Sequence, residues 1–77
     1  MTSKFKIILS SDVDYNELCA EIFFEGQFVA ILTQEHGFEN LEIEIHPPRN
    51  KETWVFKFSE FELILNSAKK ALLDMQK

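Results

Sequence analysis

The sequence predicts an α+β fold: an antiparallel β-meander of about five strands with one C-terminal helix packed on one face. Three stretches carry that expectation. Leu41 to Ile45 alternates strictly between apolar residues and glutamates. Two apolar runs, 18–24 and 28–32, flank Glu25-Gly26-Gln27 at hairpin distance. From Phe61 to Met75, apolar residues recur at helical spacing.

Taken in order, Phe5 to Leu9 reads as a strand closed by Ser10-Ser11-Asp12, a cluster that favours a turn. The polar stretch from Asp12 to Glu17 reads as a loop or one helical turn. Leu18 to Phe24 and Phe28 to Leu32 form the hairpin, with Ala20, Ile22 and Phe24 on one face and Cys19 and Phe23 on the other. Glu35-His36-Gly37 marks the next turn, where Gly37 can take a positive φ. In 41–45, alternation places Leu41, Ile43 and Ile45 on a buried face and Glu42 and Glu44 on a wet one. Pro47-Pro48 ends that strand, because proline cannot donate to a ladder. Trp54 to Phe58 alternates again and is expected to be the fifth strand. Ser59-Glu60-Phe61-Glu62 has the form of a capping box, so a helix is expected over about 60–75. Phe61, Ile64, Leu65, Ala68, Leu72 and Met75 line its inner stripe, and Leu63 lies opposite as an exposed residue. Lys69, Lys70 and Lys77 are expected to complement the helix dipole near its end.

The chain has 77 residues, with 13 Asp and Glu against 8 Lys and Arg, a formal charge of −5 and a pI near 4.9. The distribution is more informative than the total. Residues 7–48 carry nine acids and no Lys or Arg, while all eight bases lie outside. The block therefore holds −9 and the remainder +4. A chain this short is expected to be a single domain, 1–77, too small for most catalytic architectures. Its 45% apolar content is too high for a disordered acidic tail. Nucleic acid and anionic membrane are disfavoured as ligands, because phosphate contacts need Lys and Arg. A basic protein suits the block instead.

Catalytic and metal chemistry find little support. His36 and His46 lack the further nitrogen or sulfur ligands that a zinc site needs. Cys19 sits between Leu18 and Ala20 in acidic surroundings, which favours an inert buried thiol over a nucleophile. One cysteine cannot staple its own chain, so no disulfide framework is expected. Glu42 and Glu44 would stand ~6.5–7 Å apart on one strand side, overlapping the separation in glycosidase carboxylate pairs. A sheet with one helix offers little depth for a sugar cleft, however, and a solvated strand face explains the pair. There is no glycine-rich phosphate loop, no calcium-loop spacing and no apolar run of membrane-spanning length. The expectation is a non-enzymatic cytoplasmic protein with no cofactor and no metal, a monomer or weak homodimer.

The run Gly37-Phe38-Glu39-Asn40-Leu41-Glu42-Ile43-Glu44-Ile45-His46-Pro47-Pro48, then Trp54-Val55-Phe56-Lys57-Phe58-Ser59-Glu60-Phe61 and a Lys-rich last helix, carries a resemblance. With the small size and the acidic block, this pattern resembles the immunity proteins of bacterial polymorphic toxins, of the contact-dependent-inhibition and Rhs type. The matching part covers about residues 37–72, roughly half of the chain, and consists of strand and capping patterns. The resemblance implies a cytosolic inhibitor that binds one toxin domain, commonly a nuclease, and neutralises it.

The charge pattern and that implication meet in one expected contact set. Glu39, Glu42 and Glu44 form the acidic face, Asp12 and Asp14 a second acidic lip, and Phe23 and Ile31 the apolar anchors. Three competing readings use the same residues. One is a phage-type DNA mimic directed at a host DNA-binding enzyme. Another is a small homodimeric structural or adaptor protein that pairs its apolar sheet face. The third is a carboxylate-pair hydrolase.

Overall fold

The hairpin expected around Glu25-Gly26 is the centre of the fold. The computed structural model describes residues 4–11, 15–49 and 53–75. Strand β2 (Cys19–Phe24) turns through Glu25 and Gly26 into β3 (Gln27–Thr33). Both turn residues have positive φ, +50° and +83°, the signature of the two-residue turn whose twist matches the flanking strands. Strand β1 (Phe5–Ser10) pairs with β2, and β4 (Glu42–Ile45) pairs with β3. All pairs are antiparallel, giving an open sheet in the order β1-β2-β3-β4. A 3₁₀ turn at Phe38–Asn40 leads into β4. Helix α1 (Phe58–Asp74) closes the described chain.

Glutamate gains nothing from a positive φ, and a left-handed L-residue costs ~1–2 kcal/mol. Asparagine tolerates that region better, while the exposed Lys4–Glu25 ion pair at 3.1 Å contributes little. Glu25→Asn is therefore expected to stabilise the fold by about 0.5 kcal/mol, read as a raised midpoint in urea. A lowered midpoint would show that the ion pair outweighs the turn strain.

Sheet register sorts the side chains onto two sides. Phe5, Ile7 and Leu9 align with Phe24, Ile22 and Ala20, which continue through Ala30 and Leu32 to Ile45 and Ile43. This side faces α1. The core is built from Ala20, Ile22, Val29, Ala30, Leu32, Ala68 and Leu72. Ile22 pairs with Ala30 and Phe23 with Phe28, so Val29 is the extra residue of a β-bulge and still turns inward, fully buried. Small residues at 20, 30 and 68 let the helix approach the sheet closely, and Leu72 fills the space beside them.

The helix packs over β1 and β2. That lateral placement corrects one expectation about β4. Leu41 is half-buried, but Ile43 and Ile45 are 41% and 57% exposed rather than covered. The helix is too far across the sheet to reach them, so β4 is wet on both sides.

Two further corrections concern the end of the chain. The structure has four strands, not about five. Residues 54–57 keep the alternation, with Trp54 and Phe56 turned inward and Val55 and Lys57 outward, but make no ladder. The aromatic rings decide this. Phe56 packs 5.0 Å from both Phe5 and Phe24, stacks on Trp54 at 5.2 Å and on Phe61 at 5.2 Å. Trp54 also donates its Nε1–H to the His46 carbonyl at 2.6 Å. The segment plugs the gap between sheet and helix instead of extending the sheet.

The capping box does not form either. The helix starts two residues earlier, at Phe58, with Lys57 as its N-cap and no side-chain cap. The Lys57 carbonyl accepts from the N–H groups of Glu60 and Phe61 at 3.1 and 3.0 Å. Ser59 thus lies inside the first turn, where its hydroxyl cannot act as N-cap. Phe61, Ile64, Leu65, Ala68 and Leu72 pack inward as expected, but Met75 is the C-cap just beyond the helix and is 57% exposed. Leu63 is exposed, as its position predicts. The last described turn holds no base; Lys70 instead pairs with Asp74 at 3.2 Å, and Lys77 lies outside the described residues.

Candidate partner-binding site

The side of the sheet away from α1 carries the acids. Register and alternation line up Ile8, Glu21, Ile31 and Glu44 in one row, and Ser10, Cys19, Thr33 and Glu42 in the next. Glu42 and Glu44 are exposed on the edge strand, and Glu39 is exposed on the 3₁₀ turn just before it. Chain connectivity gathers these three at one corner of the sheet. Phe23 lies on the same side two strands away, ~10 Å across the sheet. Its ring meets Phe28 at 5.6 Å, and Phe28 meets the His46 ring at 4.9 Å. An aromatic row therefore runs from β2 towards the Glu44 end of β4.

Not all of the expected set is available to a partner. Ile31 is only 5% exposed, on the side away from α1 between its register partners Glu21 and Glu44, so it offers a partner little surface as an apolar anchor. Asp12 and Asp14 lie outside the described residues. Phe23 is half-buried. Cys19 is completely buried, with its Sγ–H donating to the Glu17 carbonyl at 3.4 Å, which fits an inert thiol.

The acids of the block divide by role. Glu35 accepts from the backbone N–H groups of Asn16 and Glu17 at 3.0 and 2.8 Å, so it ties the β1–β2 connection to the end of β3. Glu21 accepts from the Ser10 hydroxyl at 3.1 Å. Glu25 pairs with Lys4. Glu44 reaches the His46 ring at 3.2 Å, in an exposed contact that depends on the protonation of the imidazole. Glu39 and Glu42 make no ion pair among the described residues. The structural acids thus stand at the hairpin and the β1–β2 connection. Among the described residues, of the block's exposed acids without an ion pair, Glu39 and Glu42 stand beside β4 and Glu17 stands in the β1–β2 connection.

The same edge has an apolar flank that sequence reading did not find. On the α1 side of β4, an open cleft of about 540 Å³ is lined by Ile45, Pro47, Pro48, Trp54, Phe56 and Phe58, among others. Phe58 and Val55 beside it are 78% and 88% exposed. Reading 54–58 as a strand assigned Phe58 to a sheet face. The available signal was Pro47-Pro48, which takes the chain off the sheet edge and leaves the next aromatics free to pack elsewhere.

Among the described residues, no group of three or more His, Cys, Asp and Glu is placed to hold a metal ion. No helix among them is long and apolar enough to cross a membrane. Compared with family models, curated proteins and solved structures, the chain matches none.

Proposed function

We propose that this chain is a small cytoplasmic inhibitor, an immunity protein that binds a basic toxin domain through the β4 corner and neutralises it. A nuclease is the toxin class this surface fits best. Enzymes that grip a phosphate backbone present basic clefts, and exposed carboxylates on a short strand can enter such a cleft where phosphates would lie. One observation carries the reading: Glu42 and Glu44 are exposed on the edge strand, Glu39 is exposed just before it, and an apolar cleft opens beside Ile45 at its end. Acids on one side of an edge strand and an apolar cleft on the other give a partner both electrostatic steering and area to bury. Complementary fields also speed encounter, which matters for an inhibitor competing with nucleic acid for the same cleft.

The reading implies a toxin encoded beside this chain, and the test is co-expression with the toxic domain of that neighbour. The reading predicts co-purification of the two chains and loss of nuclease activity at equal stoichiometry, with association that slows as salt rises. An unaffected nuclease would overturn it. Inhibition of an unrelated DNA-binding enzyme, with no effect on the neighbouring toxin, would favour the DNA-mimic reading.

A further inference from the structure

Strand β4 ends the sheet, and its backbone geometry follows from one hydrogen bond. The His46 N–H donates to the Val29 carbonyl at 2.8 Å, next to the register pairs Ala30–Ile45 and Ile31–Glu44. Antiparallel ladders alternate between hydrogen-bonded and non-hydrogen-bonded pairs. The N–H and C=O of Glu42 and Glu44 therefore point towards β3, and those of Ile43 and Ile45 point outward. Among the described residues no strand covers that outer side.

We propose that β4 is a strand-addition edge, and that the partner docks by laying against it an extended segment alternating basic and apolar residues. This rests on reading the chain as a binder of a basic protein, and it names how that partner docks. The backbone of Ile43 and Ile45 supplies the new ladder. Residues opposite Ile43 and Ile45 face the α1 side, where those side chains are exposed and the cleft of about 540 Å³ opens beside Ile45. Residues opposite Glu42 and Glu44 face the other side, where cross-strand pairing with Lys or Arg is favourable. Main-chain bonds give such an interface affinity, and the alternating side chains give it specificity.

The charges also select against the simplest self-pairing. In a two-fold β4–β4 contact, glutamates would stand opposite glutamates, which is destabilising. Edge charges of this kind discourage a strand from pairing with its own copy, while a lysine-bearing strand meets no such penalty. Strand β1 carries a pattern of that kind in Lys4-Phe5-Lys6-Ile7. A β1–β4 contact between copies would leave both ends open and propagate, so its signature is concentration-dependent growth rather than a defined complex.

The test is fluorescence-anisotropy binding of a short synthetic peptide of alternating lysine and valine. Two controls keep the same numbers of lysine and valine residues: one is N-methylated at the valines, and one has its lysines grouped at one end. The proposal predicts that the alternating peptide binds about tenfold tighter than the N-methylated control, the factor expected for losing one or two backbone hydrogen bonds, and also tighter than the grouped control, which keeps its N–H groups but loses the lysine–glutamate register. It also predicts that Ile45→Asp weakens that binding in a chain that still unfolds cooperatively, with a melting temperature lowered by no more than ~8 °C. Equal binding of all three peptides would overturn strand addition while leaving an acidic docking face, and so the immunity reading, intact. Binding of none would overturn strand addition, with the toxin co-purification still deciding the immunity reading separately. Self-association that the peptide abolishes would overturn the choice of partner in favour of a second copy's β1.

Discussion

Leu72→Ala will lower stability by about 3–5 kcal/mol, enough to bring a domain of this size close to unfolding at ambient temperature. Leu72 is fully buried and packs with Ala20, Ile22 and Ala68 between helix and sheet. Its neighbours at 20, 30 and 68 are alanines, which have no side-chain length with which to fill a void. The site therefore collapses poorly, and the cost belongs in the upper part of the range for such truncations. For a domain of this length that is a melting-temperature loss of at least ~12 °C. Leu63→Ala is the control: the residue is 67% exposed on the same helix, and its loss should change stability by no more than ~0.5 kcal/mol. A Leu72→Ala protein that melts within ~2 °C of the parent would mean that α1 does not pack in this register.

The elements that sequence reading places correctly are those whose pattern depends on one strand or helix alone. The hairpin is legible because Glu25-Gly26-Gln27 separates two apolar runs at hairpin distance, while the two-residue turn itself appears only in the structure. Leu72 is legible because the 3.6 period fixes the stripe. Alternation at Trp54 to Lys57 correctly tells which side chains turn inward, yet it says nothing about backbone pairing. The absent fifth strand follows from that gap: Phe5, Phe24 and Phe61 draw Phe56 into the core, and no ladder forms. Ser59 and Glu62 have a capping pattern, but a helix that begins at Phe58 leaves it unused.

The candidate site divides along the same line. Glu42 and Glu44 share one exposed side, as strict alternation requires. The exposure of Ile43 and Ile45 depends on how far α1 reaches across the sheet, and the burial of Ile31 depends on neighbours in two other strands. Both are properties of packing between elements, and local periodicity carries neither. The cleft beside Ile45 has the same origin, since it exists only because the 54–57 segment leaves the sheet.

The second large effect concerns binding and leaves the fold alone. Glu42→Lys with Glu44→Lys replaces attraction by repulsion at two positions on the edge strand. Close charge pairs across an interface couple by roughly 1.5–7 kcal/mol, so reversing two of them should weaken the proposed toxin complex by about a hundredfold or more. Stability should hardly move, because both side chains are exposed and substitutions at such positions stay within ~0.5 kcal/mol. Any shift should be towards greater stability, since the swap dilutes a block that carries nine acids and no base. The exposed Glu44–His46 contact is too solvated to reverse that sign.

The most direct measurement is therefore the calorimetric Kd of the proposed toxin partner for the parent chain and for the Glu42→Lys, Glu44→Lys chain, taken beside their melting curves. A binding surface centred on β4 predicts affinity lower by about a hundredfold with melting temperatures within ~4 °C. Equal affinity for the two chains would contradict it, and would move the contact away from the only exposed acidic strand among the described residues.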